Sequence, residues 1–102
     1  MRYFIHTDLK IKYGSFPKLV EAMETLVPFL GTQGWRLDGA YQAIVGNFNL
    51  VTHIWEVETL ESIPTALAAV QSTPHVLEAV ADFKDYVLEE NLQLVTRTPY
   101  CP

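Results

Sequence analysis

The 102-residue sequence predicts one α+β domain whose elements run β-α-β-β-α-β, and three observations carry that expectation. Arg2 to Ile11 alternates polar and apolar residues with the period of a strand. From Ser15 onward the spacing changes to threes and fours, which gathers apolar side chains on one side of a helix. Further along, two β-rich runs flank Gly46-Asn47, a pair suited to the positive φ of a tight hairpin.

The first strand places Tyr3, Ile5, Thr7, Leu9 and Ile11 on one face and Phe4, His6, Asp8 and Lys10 on the other. Ser15 is the expected N-cap of the first helix, whose stripe is Phe16, Leu19, Val20, Met23, Leu26, Val27 and Leu30. Pro17 falls in the first turn, where a missing N–H costs little, whereas Pro28 should kink or end the helix. Gly31 and Gly34 release the chain into a second strand, Trp35 to Val45, and a third, Asn49 to Glu58.

Thr59 or Ser62 caps a short helix marked by Leu60, Ile63, Leu67 and Val70, and Gln71-Ser72 interrupts it. Thr73-Pro74 restarts helix, with Val76, Val80, Phe83 and Val87 as its stripe, and after Asn91 the last strand is expected over Leu92 to Thr98. The order is that of a split βαβ, or ferredoxin-like, domain spanning residues 1–102. Right-handed crossovers then give a four-stranded antiparallel sheet with its first and third strands inside, both helical segments on one face, and the second segment split in two.

Strand three carries Val51, Trp55 and Val57 on one face and Leu50 and Ile54 on the other, so both faces of the sheet are expected to be dry. An uncovered apolar face marks an interface, and a two-fold axis lets the sheet cover its own copy. The expected assembly is a homodimer of dimeric α+β barrel type. Hydrophobic residues form 49% of the chain, rich for so small a domain, which agrees with burial against a partner.

A net charge of −5, with scattered lysines and arginines, argues against nucleic acid as a ligand. The sequence has no membrane span and no signal-peptide pattern at its start, and a cytoplasmic protein is expected. Cys101, the single cysteine, forms no internal disulfide, and three histidines on separate elements do not make a metal site. No phosphate loop, nucleophile elbow or dinucleotide fingerprint is present, so no cofactor is expected.

Candidate chemistry concentrates at the central hairpin, where alternation places Asn49, Val51, His53, Trp55 and Val57 on one face and Tyr41 lies on the paired strand. Such a set makes an apolar pocket with a few polar anchors: His53 as acid or base, with Asn49, Tyr41 and Trp55 positioning the ligand. The competing reading is a hydrogen-bonded core histidine beside a tryptophan. His6 shares a strand face with Asp8, an arrangement in which a carboxylate orients an imidazole, or in which two polar residues meet solvent or a dimer contact. His75, in the first turn of a helix, reads as a surface imidazole.

The residues of this hairpin resemble the NIPSNAP family. Its pattern of Gly, an aromatic, a Gly-x-x-Asn turn, His-Leu-Trp and a Ser/Thr-Leu-x-Glu helix start is met by Gly39-Ala40-Tyr41, Gly46-Asn47-Phe48-Asn49, His53-Ile54-Trp55 and Thr59-Leu60-Glu61. Ile11-Lys12-Tyr13-Gly14 is similar to the Leu-Lys-Pro-Gly ahead of the family's first helix. Two positions depart: Ala43-Ile44 replaces a Thr-Glu, and Val57 replaces a Tyr.

The resemblance implies a dimeric α+β barrel, an architecture shared with cofactor-independent antibiotic-biosynthesis monooxygenases and haem-degrading monooxygenases. The latter place an axial His one helix beyond the strand-three Trp, and Ile63 to Gln71 contains none, which disfavours haem. The functional expectation is therefore a protein that binds an aromatic or apolar small molecule and acts on it, by oxidation, isomerisation or cyclisation, without a cofactor. The alternative is a non-catalytic homodimeric binding or assembly module.

Overall fold

In a computed structural model that describes residues 2–46 and 49–102, the chain builds β1 (Tyr3–Ile11), α1 (Phe16–Gly31), β2 (Trp35–Gln42), β3 (Leu50–Val57), α2 (Ser62–Ser72), α3 (Pro74–Val80), α4 (Phe83–Tyr86) and β4 (Val87–Val95). The sheet is antiparallel in the order β2-β3-β1-β4, with β1 and β3 inside as expected for the ferredoxin-like topology. No described helix is long and apolar enough to cross a membrane.

Ser15 does start α1, but through its backbone: its carbonyl accepts from Lys18 and Leu19 N–H at 3.0 and 3.2 Å, and its hydroxyl makes no cap bond. Pro28 does not end the helix, which continues to Gly31. Both Pro28 and Glu24, whose carbonyl loses its helical partner there, lie on the exposed side of α1, so the lost bond is not buried in the core. The end is set later. Thr32 N–H and hydroxyl both bond the Phe29 carbonyl, and Gly34, at φ +86°, turns the chain into β2.

The second strand stops at Gln42, short of the expected Val45, and Ile44 and Val45 stand in water. Ala43 donates its N–H to the Leu50 carbonyl at 3.1 Å, a bond between the two strand ends, and the tight turn expected at Gly46-Asn47 falls partly outside the described residues. Gly46 has the positive φ the sequence called for, +93°, while Asn47 lies outside the described residues. A register shift between Leu37 and Gly39 marks a bulge in β2. Gly39 leaves room there for the Tyr41 ring, which a Cβ, coming within 2.7 Å of it, would push aside.

Thr73 splits the second helical segment because the residue before a proline is pushed out of the helical region; it sits at φ −110°, ψ 103°, and Pro74 opens α3. Thr59 is the effective start of α2: its hydroxyl accepts from Ser62 N–H at 3.2 Å and its carbonyl from the Ser62 hydroxyl at 2.6 Å. The last strand begins at Val87, five residues before the expected Leu92. Pairing overrides the helical stripe here, since the outer edge of β1 needs a partner along its length and takes Val87 opposite Ile11 through to Val95 opposite Phe4.

Helices cover one sheet face. Ile5, Thr7, Leu9 and Ile11 of β1 and Val51, His53, Trp55 and Val57 of β3 are buried beneath them. The opposite face is mixed and not uniformly apolar, which corrects the expectation of two dry faces. Phe4 lies under the Arg97 guanidinium at 4.9 Å, and Leu50 and Ile54 are half-buried, but Arg36, Asp8 and Glu56 share that face. Strict alternation forces this, because every residue that β1 turns away from the helices except Phe4 is polar. β4 is exposed along most of its length, with Leu88, Leu92 and Leu94 open to solvent.

Candidate functional site

The covered sheet face is built in rows fixed by register. One row sets Leu37, Trp55, Ile5 and Leu94 side by side; a second sets Gln42, Val51, Leu9 and Glu90. Between them runs Ala40, His53, Thr7 and Leu92, so two polar side chains cross the middle of an apolar layer. Thr7 is 7% and His53 6% exposed. The row divides the core: Ile5, Leu30, Trp35, Trp55, Val57, Ala66, Val70 and Val76 pack on one side, and Leu9, Ile11, Leu19, Val51 and Tyr86 on the other.

Neither Thr7 nor His53 makes a side-chain hydrogen bond to the protein among the described residues, yet no fully enclosed side-chain nitrogen or oxygen lacks a partner there. Their polar atoms therefore face open space. That space is a cavity of about 210 Å³ between sheet and helices, walled by Thr7, His53, Trp55, Trp35, Met23, Leu26, Leu67 and Phe83 and reaching Glu90 and Leu92 on β4. A second space of about 320 Å³ is a groove between α1 and β2, lined by Phe16, Val20, Val27, Leu37, Ala40 and Val51, and it too ends on His53.

The aromatic wall is held rigidly. Trp35 donates its indole N–H to the Ser62 carbonyl at 3.0 Å and meets Trp55 edge-on at 5.8 Å between centroids. Trp55 in turn meets the His53 ring at 6.3 Å and 81°. Burial pushes the His53 pKa below its ordinary value, so at neutral pH the imidazole is uncharged, with one nitrogen able to accept a proton and the other carrying the N–H.

Of the other expected site residues, Tyr41 shares the groove with His53, whereas Asn49 and His6 border neither space. Tyr41 pairs with Thr52, away from the His53 row, and it is 62% exposed with its ring over Gly39, yet it lines the same groove on which His53 ends. The bulge at Asp38 changes the β2 alternation and brings Ala40, not Tyr41, alongside His53. Asn49 lies before β3 begins, its carbonyl accepting from Ile11 N–H at 2.9 Å, and it borders neither space among their described lining residues.

His6 and Asp8 share the uncovered face, as the alternation requires. They do not form a hydrogen-bonded dyad: the gap is 3.9 Å, and the Asp8 carboxylate instead accepts the Thr52 hydroxyl at 2.6 Å. Nearby, Arg36 donates to Glu56 and Asp38 at 3.0 and 3.1 Å, and its bond to Glu56 raises its pKa further above the ordinary range. No three metal-ligating side chains converge among the described residues.

Sequence reasoning passed over Thr7 and Met23. Thr7 was visible as the one polar residue on the buried face of β1, and Met23 as a member of the α1 stripe. Their juxtaposition with His53 depends on strand register and on how α1 crosses the sheet.

A ferredoxin-like domain with an apolar cavity beneath its helices and a neutral histidine in the cavity wall defines the class: the subunit fold from which dimeric α+β barrels are made. The sequence carries the assignment further. The family model for NIPSNAP matches residues 7–102, and the chain belongs to the NIPSNAP family. No curated protein matches it.

Among solved structures, a NIPSNAP family protein of unknown function from Agrobacterium tumefaciens is 17% identical, with a TM-score of 0.84 over 99% of this chain and 92% of that one. An uncharacterised NIPSNAP-like protein from Burkholderia xenovorans is 16% identical, with a TM-score of 0.79 over 99% and 89%. SnoaB, a cofactor-independent oxygenase from Streptomyces nogalater, is 14% identical, with a TM-score of 0.76 over 99% and 97%. At these identities the likeness is one of fold.

The lowered His53 pKa makes a signed prediction. Unfolded histidine takes up a proton below about pH 6.5 while folded His53 resists it, so the unfolded state binds more protons in that window. Stability is complete above the unfolded value and is lost as pH falls through the folded one. Urea unfolding from pH 8 to 5 should show the wild type losing more stability than His53→Gln, and parallel curves would contradict the burial argument.

Proposed function

We propose that this NIPSNAP protein binds an aromatic or apolar small molecule in the cavity over the Thr7–His53 row, with the neutral His53 imidazole accepting a hydrogen bond or a proton from it. The observation that carries this reading is the pair of buried polar side chains without a protein partner, facing a cavity with aromatic walls. These polar atoms keep access to solvent through the open cavity, and a ligand hydroxyl there replaces that solvent with a hydrogen bond the protein does not supply. Trp55 supplies a flat apolar wall and Thr7 a second polar contact. Where the bound molecule reacts, the chemistry these residues provide is proton removal at His53, which suits a phenol or an activated C–H.

The fold likeness to a cofactor-independent oxygenase supports a catalytic version of this reading by analogy alone. A homodimer belongs to the same proposal. Leu50, Ile54 and Val95 on the uncovered sheet face, with Leu88, Leu92 and Leu94 on the bare β4, are apolar surface for a second copy to bury. The exposed leucines of β4 also favour the second reading, an assembly module in which the cavity has no ligand.

Thermal shift separates the two. A ligand at a hundred times its Kd adds about 2.7 kcal/mol, which should raise Tm of a domain this size by roughly 10 °C or more. Phenols should outperform their methyl isosteres in the wild type, and His53→Ala should erase that preference while keeping the fold. No response from any aromatic compound would leave only the assembly reading, and the same preference in His53→Ala would remove His53 from the proposal. For the dimer, sedimentation equilibrium at micromolar concentration should give the mass of two chains, and the mass of one would remove that part of the proposal.

A further inference from the structure

We propose that Met23 is the gate between the inner cavity and the groove beneath α1, and that it sets the size of the aromatic molecule that reaches His53. This deepens the small-molecule reading and rests on it. The two spaces share only Met23 and His53 among their described lining residues. Met23 is also the one partly buried hydrophobic side chain, among the described residues, that packs against both core clusters, so it sits above the polar row where the apolar layer divides.

Of the two shared residues, one is fixed and one can move. His53 belongs to a central strand paired on both sides, to Thr7 and to Ala40. Met23 is half-buried on a helix, and its unbranched thioether turns about three bonds without disturbing the backbone. An apolar cavity of about 150 Å³ holds one benzene ring. The inner cavity, at about 210 Å³, therefore takes a single ring, and a larger fused-ring molecule that keeps its contact with His53 extends past Met23 into the 320 Å³ groove or out over β4. The groove wall suits it, being formed by Phe16, Val20, Val27 and Leu37. The inner cavity also borders Leu92 on the uncovered strand, which is the competing route.

The test compares phenol with 1-hydroxypyrene on the full chain, using tryptophan and pyrene fluorescence to obtain Kd. Met23→Ala should tighten 1-hydroxypyrene relative to phenol by at least about tenfold, and Met23→Phe should weaken it by a similar factor. A ratio that stays within about twofold in both variants overturns the gate while phenol binding upholds the cavity. A ratio that responds to Leu92→Ala and not to Met23 overturns it in favour of entry at β4. Binding of neither probe to wild type or Met23→Ala removes the cavity reading and the gate together. Should Met23→Ala fail to fold, Met23→Leu preserves volume and should keep both affinities while slowing 1-hydroxypyrene association in stopped flow. An unchanged rate would count against the gate.

Discussion

Register across β1 and β3 is the constraint on which the rest of the molecule depends. With Thr7 opposite His53, every second residue of both strands turns toward the helices, and a one-residue slip would send Ile5, Leu9, Val51 and Trp55 to the uncovered face. The same pairing that buries those four also buries the two polar residues between them. The domain therefore has no arrangement of this sheet in which the apolar residues are covered and His53 is not.

The consequences run outward from that row. An apolar layer interrupted by an imidazole and a hydroxyl packs as two clusters in place of one, and the space between them remains as a cavity. Trp35 and Trp55 wall it, and their orientation is secured from the helical layer by the bond to the Ser62 carbonyl. α1 spans both clusters, and its Met23 lies where they separate. Burial then fixes the charge state of His53 as neutral, and the proposed chemistry needs that state.

The fold was largely legible because it follows from periodicity. The alternation of β1 and β3, the apolar stripe of α1 and the Thr73-Pro74 break each act within a few residues, and each is where the sequence placed it. Errors arose where a distant partner decides. Val87 to Asn91 reads as helix on its own and becomes strand because β1 has an open edge, and Pro28 is tolerated because its side of α1 faces water. The candidate site was half legible. His53 and Trp55 share a face by simple alternation. Tyr41 lines the groove from outside the His53 row because of the bulge at Asp38, which leaves no mark in the local pattern, and Met23 is one apolar helix residue among several until the helix is laid across the sheet.

The central claim is that Thr7 and His53 are polar to meet a bound molecule, not to hold the core together. The most direct measurement is the guanidinium unfolding free energy of the double variant Thr7→Val, His53→Leu, in which both groups are replaced by apolar residues of similar shape. With no protein hydrogen bond to lose, the variant should match or exceed the wild type in stability. A loss of more than about 2 kcal/mol would mean that the two side chains are structural, and the account would be wrong.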